Sequence, residues 1–217
     1  MTPPTLDPFK FALSPDGRQL AFVANTERQS ELWVRALDAA SARPLAGTDG
    51  AASPFWSPDS RAIGFFADGK LKRIDVTGGT IQVLADASIG RGGTWNRDGV
   101  IVFTPDGTSG LTRVAATGGT AVPVTRLGTG QGSHRWPMFL PDGRRFLFHV
   151  PLGTPDARGV YIGSLEGGEP TRLTGGMTAA AYAAPGYLVL VSQGVLVARR
   201  FDIARGTLND ESIPLAQ

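Results

Sequence analysis

A four-residue turn motif recurs along the chain and constrains its fold more than any other feature. It reads Ser14-Pro15-Asp16-Gly17 and returns as Ser57-Pro58-Asp59-Ser60, Asn96-Arg97-Asp98-Gly99 and Leu140-Pro141-Asp142-Gly143, with a shorter copy at Ala184-Pro185-Gly186. The aspartates at positions 16, 59, 98 and 142 are separated by 43, 39 and 44 residues. Proline presets φ, aspartate caps the turn and glycine accepts positive φ, so each copy predicts a tight connection between two antiparallel strands.

Short β-prone runs surround each copy of this turn. The run before the turn ends in an aromatic residue in three units, at Trp56, Trp95 and Phe139. A second run follows each turn, at residues 19–23, 62–66, 100–103, 145–150 and 187–191, and two further runs complete each unit. Four short antiparallel strands repeated at this spacing are typical of a propeller blade. The sequence therefore predicts an all-β β-propeller of five four-stranded antiparallel blades.

The repeat also predicts where the blades begin and end. They fall at about residues 9–47, 52–86, 92–127, 134–175 and 178–216, in a single domain or fragment spanning residues 1–217. Each blade hides its apolar faces only by stacking on its neighbours. Residues 1–7 are Pro-rich and predict coil rather than a strand that closes the ring. We therefore expect part of a larger or unclosed propeller, whose uncovered terminal blades favour self-association.

Composition argues against several classes of function. The chain has 217 residues, no Cys and a formal net charge of +2 with scattered arginines. Disulfides and thiolate chemistry are therefore excluded, and nucleic-acid binding is not favoured. No apolar stretch approaches the roughly 18 residues of a membrane span. Residues 1–8 lack the basic and apolar regions of a signal peptide, so we expect no membrane insertion by this chain.

Motifs for catalysis and cofactor binding are incomplete. His134-Arg135-Trp136 lacks the aspartate of a kinase catalytic loop, and no Gly-x-Ser-x-Gly elbow accompanies His134 or His149. The glycine-rich residues 128–132 precede a β-type run, so they predict a loop between blades rather than a phosphate loop before a helix. The turn aspartates lie one to a blade, too far apart to share an ion. We expect no enzymatic activity, no cofactor and no metal.

One group of polar residues is predicted at the mouth of the central channel. The first strand of each blade starts at the loop arriving from the preceding blade, which places Ser53, Arg91, His134, Arg135 and Thr178 at this rim. Guanidinium and imidazole groups gathered there would favour an anionic group such as a carboxylate or a phosphate. Arg91, His134 and Arg135 are therefore the predicted ligand-binding residues.

Three tryptophans have a structural interpretation. Trp56, Trp95 and Trp136 are expected at equivalent places in their blades. Large aromatic side chains at repeated positions usually pack between blades, and we expect that role for them rather than an aromatic cage.

The repeat, an aromatic residue followed by Ser-Pro-Asp-Gly and an apolar run, resembles the TolB-like propeller repeat, a relative of the WD repeat. The strings FALSPDGRQLAFVA, PFWSPDSRAIGFFADGKLKRIDVTGG and SHRWPMFLPDGRRFLF are more closely similar to the propeller C-terminal to the kinase domain of bacterial eukaryotic-type serine/threonine protein kinases. This resemblance implies a sensor or interaction module, extracytoplasmic if its parent is a membrane kinase or a TolB-like protein. It implies no kinase activity, because no kinase domain is present in the chain.

The sequence thus favours a non-enzymatic binding or sensor module that recognises a protein, a peptide or a small anionic ligand. Two alternatives stay open. One is a TolB-like scaffold of the cell envelope. The other is the gating propeller of a prolyl-oligopeptidase-type peptidase whose catalytic domain lies outside this chain. Fold alone does not choose between them.

Overall fold

The computed structural model of the chain describes residues 11–25, 29–176 and 178–216. The coil predicted at residues 1–7 and the start of the first blade near Phe9 lie outside these residues. Within the described residues, the only helical segment is a single 3₁₀ turn at Pro155–Ala157. No helix in this part of the chain is long and apolar enough to cross a membrane.

The described strands form five antiparallel sheets, here called blades 1 to 5. Blade 1 comprises β1 (Phe11–Leu13), β2 (Gln19–Asn25), β3 (Ser30–Ala36) and β4 (Arg43–Pro44). Blade 2 comprises β5 (Ala52–Trp56), β6 (Ala62–Ala67), β7 (Lys70–Asp75) and β8 (Gln82–Asp86). Blade 3 comprises β9 (Gly93–Trp95), β10 (Val100–Phe103), β11 (Thr112–Ala115) and β12 (Val122–Pro123).

The remaining strands make two further blades of the same design. Blade 4 comprises β13 (Arg135–Phe139), β14 (Arg145–Val150), β15 (Gly159–Ser164) and β16 (Thr171–Thr174). Blade 5 comprises β17 (Ala181–Ala183), β18 (Tyr187–Ser192), β19 (Val195–Asp202) and β20 (Thr207–Ala216). In every blade the four strands lie side by side in chain order. The predicted all-β class with five four-stranded antiparallel blades is confirmed.

The chain divides into two compact units. The first contains blades 1 to 3 as far as Val122, and the second takes residues 108–111 and continues from Pro123 through blades 4 and 5. Each unit has its own apolar core between stacked blades. In the first unit, Leu32 and Val34 of blade 1 share one core with Ile63 and Phe65 of blade 2.

The repeated turn works through its side chains. Ser14 Oγ donates to Asp16 Oδ1 at 2.5 Å and accepts the backbone N–H of Gln19 at 2.9 Å. Asp16 Oδ1 in turn accepts the N–H of Arg18 at 3.0 Å. Blade 2 repeats these bonds, and there the hydrogen bond from the Ser57 hydroxyl holds the pKa of Asp59 below its usual value. The predicted capping role of aspartate is therefore seen in both blades.

Blades 3 and 4 close the same turn with different residues. In blade 3 the cap is Asn96, whose Oδ1 accepts the N–H groups of Asp98 and Val100 at 3.1 and 2.8 Å. In blade 4, where Leu140 precedes the proline, Asp142 Oδ1 alone accepts the next two free N–H groups, those of Arg144 and Arg145, both at 2.9 Å. In all four blades the capping side chain accepts the N–H of the residue that opens the second strand, so the turn tolerates a change of capping residue.

The predicted equivalence of the three tryptophans is wrong for Trp136. Trp56 and Trp95 both occupy the last paired position before the turn, opposite Ile63 and Ile101. The corresponding residue of blade 4 is Phe139, opposite Phe146. Register is fixed by hydrogen bonds counted from the turn, and on that count Trp136 lies three residues earlier than an equivalent of Trp56.

Trp56 has the packing role that was predicted. Its indole N–H donates to the Ala12 carbonyl of the neighbouring blade at 2.9 Å, and its ring belongs to the shared core. Trp95 packs against another apolar cluster of the first unit, which includes Phe66 and Phe103 of blades 2 and 3, and the guanidinium carbon of Arg73 lies 5.6 Å from the Trp95 ring centroid.

Blades 2 and 3 approach each other closely around the ring of Phe55. A Cβ atom added to Gly64, the cross-strand partner of Phe55, would lie 2.3 Å from this ring, and one added to Gly93 of blade 3 would lie 2.5 Å from it. Phe55 is buried. The ring is therefore held between two glycine positions and cannot retreat from either one.

We predict that Gly64→Ala lowers the free energy of unfolding by about 1–3 kcal/mol, the usual cost of overpacking a core. Gly107→Ala is the matched control, because a Cβ atom there meets nothing within 4 Å and should change stability by less than about 0.5 kcal/mol. Urea unfolding of both variants checks the prediction. Equal stability of the two would show that the Phe55 ring is free to move.

Candidate functional site

Arg91 and Arg135 occupy the same position in their blades. Each lies four residues before the last paired residue of the first strand, Trp95 in blade 3 and Phe139 in blade 4. Arg91 belongs to the first compact unit and Arg135 to the second. The repeat therefore delivers a guanidinium to the same place in two consecutive blades.

The side chain of Arg91 is exposed. Its backbone carbonyl accepts the hydroxyl of Thr104 at 3.1 Å, which anchors the main chain at this point. Its guanidinium makes no hydrogen bond or ion pair with the residues that the structure describes. Arg91 thus presents a cation to solvent from a fixed backbone.

Arg135 is half-buried and oriented by its neighbours. Its Nε donates to Ser133 Oγ at 3.0 Å, and Ser133 is fully buried. In the strand register Arg135 lies opposite His149 of β14. The guanidinium is therefore held at the start of the first strand of blade 4.

His134, the third predicted ligand-binding residue, lies in the interior. It is fully buried, and its ring centroid is 4.5 Å from that of Phe148. Its Nδ1 is 2.7 Å from Thr125 Oγ1, and its Nε2 is 2.8 Å from Gln131 Oε1. The structure therefore places His134 in a buried hydrogen-bond network rather than on an open surface.

The network fixes the protonation of His134. Gln131 Oε1 also accepts the N–H of Gly128 at 2.8 Å, so this oxygen is an acceptor and Nε2 of His134 carries the proton. Thr125 Oγ1 accepts the N–H of Leu111 at 2.8 Å and donates its own proton to Nδ1. Burial lowers the pKa of His134 from 6.5 to about 4, so the ring is neutral at pH 7.

Neither Thr125 nor Gln131 was expected as a partner of His134. The hydrogen bond that Thr125 accepts from Leu111 has a counterpart in blade 1, where Thr48 Oγ1 accepts the N–H of Leu32 at 3.0 Å. A threonine that follows the fourth strand of a blade was therefore the signal available in the sequence. Gln131 gave no such signal, because its role depends on how the glycine-rich loop at residues 128–132 folds back on itself.

Ser53 and Thr178, the other predicted rim residues, have local structural roles. Thr178 Oγ1 donates to the Val191 carbonyl at 3.1 Å and accepts the Val191 N–H at 3.3 Å. Ser53 adopts a positive φ of 47° within β5. Both residues are half-buried, as is Arg135. Among the predicted rim residues, Arg91 and Arg135 are the ones whose cationic side chains suit an anion.

A bulge recurs in the first strand of blades 2 and 4. One extra residue enters each first strand where the register passes from Ala52↔Phe66 to Phe55↔Gly64, and from Arg135↔His149 to Met138↔Leu147. The residue at positive φ in this bulge is Ser53 in blade 2 and Trp136 in blade 4, with φ of 47° and 52°, and each precedes a proline. Blade 3 has Gly92, with φ of 94°, at the corresponding position. A positive φ therefore recurs at this position in three consecutive blades, and the side chain there varies.

Trp136 and His149 form a stacked pair beside Arg135. Their ring centroids are 5.6 Å apart and their planes differ by 15°. His149 is fully buried, its Nε2 lies 3.2 Å from the Gly176 carbonyl, and its Nδ1 has no partner among the described residues. Burial is the main cause that lowers the pKa of His149, and the positive charge of Arg135 adds to it. Trp136, like Arg135 before it, is half-buried.

The described residues offer no obvious metal site, since no three His, Asp or Glu side chains among them lie close enough to share an ion. Arg135 and the half-buried Trp136 lie in the second unit, and Arg91 lies at the corresponding position of blade 3 in the first unit. Such groups can bind a carboxylate and a flat apolar group through ionic, hydrogen-bond and stacking interactions.

No protein-family model matches the chain. The "Uncharacterized peptidase YuxL" of Bacillus subtilis (strain 168) is 31% identical to it over 151 residues, which is 66% of this chain and 22% of that protein. The chain thus spans about one fifth of the length of this relative.

Solved structures share the fold at low identity. TolB from Acinetobacter baumannii superposes with a TM-score of 0.70 at 16% identity, over 88% of this chain and 50% of that one. A putative TolB from Agrobacterium tumefaciens superposes with a TM-score of 0.68 at 18% identity, over 95% of this chain and 80% of that one. These likenesses support a propeller with TolB-like structural neighbours. The predicted origin next to a kinase domain stays a prediction.

The buried His134 makes stability depend on pH. In the unfolded chain the pKa of His134 is 6.5, whereas burial in the folded chain lowers it to about 4. The contribution of His134 is therefore complete above pH 6.5 and is lost as the pH falls toward 4, by about 3 kcal/mol in all. His134→Gln should remove this part of the pH dependence, which urea unfolding at pH 7 and pH 4.5 will measure. An unchanged pH dependence in the variant would mean that folding does not lower the pKa of His134.

Proposed function

We propose that this chain is a non-catalytic recognition module that binds a polypeptide through a carboxylate or another anionic group. The observation that carries the proposal is the repeated guanidinium, at Arg91 in blade 3 and at the corresponding Arg135 in blade 4. Arg91 is exposed and makes no ion pair with the described residues, so its charge is available to a ligand.

Arginine suits this role for chemical reasons. Its planar guanidinium can donate two parallel hydrogen bonds to one carboxylate, which gives both affinity and orientation. Both arginines lie where a loop enters the first strand of a blade, and loops positioned by a rigid scaffold commonly hold binding residues. The hydrogen bond from Arg135 to buried Ser133 supplies such rigidity at one of the two positions.

The environment of the histidines supports binding rather than catalysis. The chain has two histidines and no cysteine. His134 and His149 are both fully buried, and burial lowers the pKa of each. A general base needs to reach the proton that it removes, at a pKa near the working pH. Both rings instead lie in the interior, where His134 contacts Thr125 and Gln131 and His149 contacts the Gly176 carbonyl.

The proposal of a polypeptide ligand draws on the relative named as a peptidase. Proteins of that class act on polypeptides, and a propeller segment shared with one would encounter the same kind of chain. A peptide also provides carboxylates in its acidic side chains and at its C-terminus. Polypeptide recognition therefore fits both the relative and the arginines.

A second candidate function is the propeller segment of a longer peptidase. The 31% identity to the Bacillus subtilis protein favours it, since the matched residues make up only 22% of that protein. Sequencing the reading frame that encodes this chain separates the two candidates. An α/β-hydrolase domain in the same frame would support the peptidase role, and a frame without one would support an independent binding module.

A peptide array tests polypeptide binding directly. Labelled protein is applied to an array of decapeptides of varied charge, and we expect it to select acidic peptides or free C-termini. Arg91→Ala and Arg135→Ala should each weaken the selected interactions about tenfold, the effect of losing about 1.4 kcal/mol.

Arg97→Ala is the matched control, because Arg97 is an exposed arginine in the repeated turn of blade 3 rather than at the start of its first strand. It should leave binding within about twofold of the original affinity. Equal losses of affinity in all three variants would mean that the net charge of the protein, and not the position of Arg91 and Arg135, governs binding, and this would contradict the proposal. Selection of no peptide at all would overturn it.

A further inference from the structure

Trp136 breaks the pattern of the repeat at a position of backbone strain. The residue is Ser53 in the bulge of blade 2 and Gly92 at the corresponding position of blade 3, both of which suit a positive φ better than a bulky residue does. Blade 4 places a tryptophan there with φ of 52°. Because the sibling blades form with small residues, the fold itself does not require an indole at this position.

The surroundings of Trp136 hold its ring in one orientation. His149, opposite Arg135 in the strand register, stacks on the indole with the planes 15° apart. The corresponding residue of blade 2 is Phe66, which lies opposite Ala52. Blades 2 and 4 therefore both have an aromatic ring at this register position. In blade 4, His149 Nε2 also lies 3.2 Å from the Gly176 carbonyl, which ties the imidazole to the following loop.

Arg135 and Trp136 are consecutive residues that are both partly accessible to solvent. The guanidinium is oriented by Ser133, with 3.0 Å between Arg135 Nε and Ser133 Oγ, and the indole is supported by His149. Strain kept at a residue that the repeat does not need is often found at ligand sites, where it fixes a side chain before the ligand arrives. A cation and an aromatic ring on consecutive residues, each held by a neighbouring side chain, match a carboxylate adjoining a flat or apolar side chain.

We infer that Arg135 and Trp136 form a two-part recognition site on blade 4 for the C-terminal residue of a peptide. The guanidinium binds the terminal carboxylate, and the indole stacks on an aromatic or prolyl side chain of the same residue. This inference deepens the proposed function and rests on it. It names the ligand group and assigns a specificity-determining role to Trp136.

The test uses two peptides that differ in one group. Acetyl-Ala-Ala-Phe with a free carboxylate and the same peptide with a C-terminal amide are titrated into the full chain by calorimetry. We expect the acid to bind and the amide to bind at least about tenfold more weakly. Arg135→Gln should abolish the difference between the two peptides.

Variants copied from the sibling blades separate recognition from folding. Trp136→Ser places the residue of blade 2 in the bulge and should keep the melting temperature within a few degrees while weakening acid binding about tenfold or more. Trp136→Phe keeps an aromatic face and should recover part of this loss.

The outcomes distinguish this inference from the proposed function. If the peptide array yields ligands whose binding depends on Arg91 and Arg135 but not on Trp136, the proposed function stands and this site is wrong. If the acid and the amide bind the unmodified chain equally, the carboxylate assignment is wrong. If Trp136→Ser unfolds the protein while Trp136→Phe does not, the indole is a packing residue and the inference falls.

Discussion

Hydrogen bonds from side chains into the repeated turn set the register on which the other features of each blade depend. Ser14 Oγ and Ser57 Oγ accept the N–H of the residue that opens the second strand, at 2.9 and 2.8 Å. A slip of one residue would move every side chain of a strand to the opposite face. The faces that stack between neighbouring blades are therefore chosen at the turn. Asn96 and Asp142 accept the corresponding N–H groups in blades 3 and 4, those of Val100 and Arg145, at 2.8 and 2.9 Å.

From that register follow the close packing of the blades and the location of the candidate site. Counting back from the turn brings Phe55 opposite Gly64, where the missing side chain leaves room for the ring. Counting back further brings Arg91 and Arg135 to corresponding positions. In blades 2 and 4 the bulge lies between the start of the first strand and its last paired residues. It changes the backbone direction at the start of the strand without changing the pairing at its end. The turn and the residues paired next to it, which repeat from blade to blade, are thus separate from the start of the first strand, where the side chains differ.

The second unit shows how a repeat acquires differences without losing its fold. His134 occupies a position that is Ala51 in blade 2, and a buried network with Thr125 and Gln131 satisfies its ring. Trp136 replaces the small residue of the bulge, and His149 supports its ring from β14. These changes concentrate polar and aromatic groups at the start of the first strand of blade 4. Binding residues are expected in such a place, since the strands behind it are held by an apolar core.

The sequence by itself determined the class of fold and the number of blades, because local turn chemistry and strand patterning repeat within each unit. It also predicted the role of Trp56. It did not determine that Trp136 lies in a bulge, since an inserted residue changes the register only through hydrogen bonds to the neighbouring strand. Nor could it show that His134 is buried and neutral, because Thr125 and Gln131 reach its ring only after the loop between the blades has folded. Tertiary structure decided those two points, since burial and ring stacking depend on contacts between strands and loops that the local sequence does not specify.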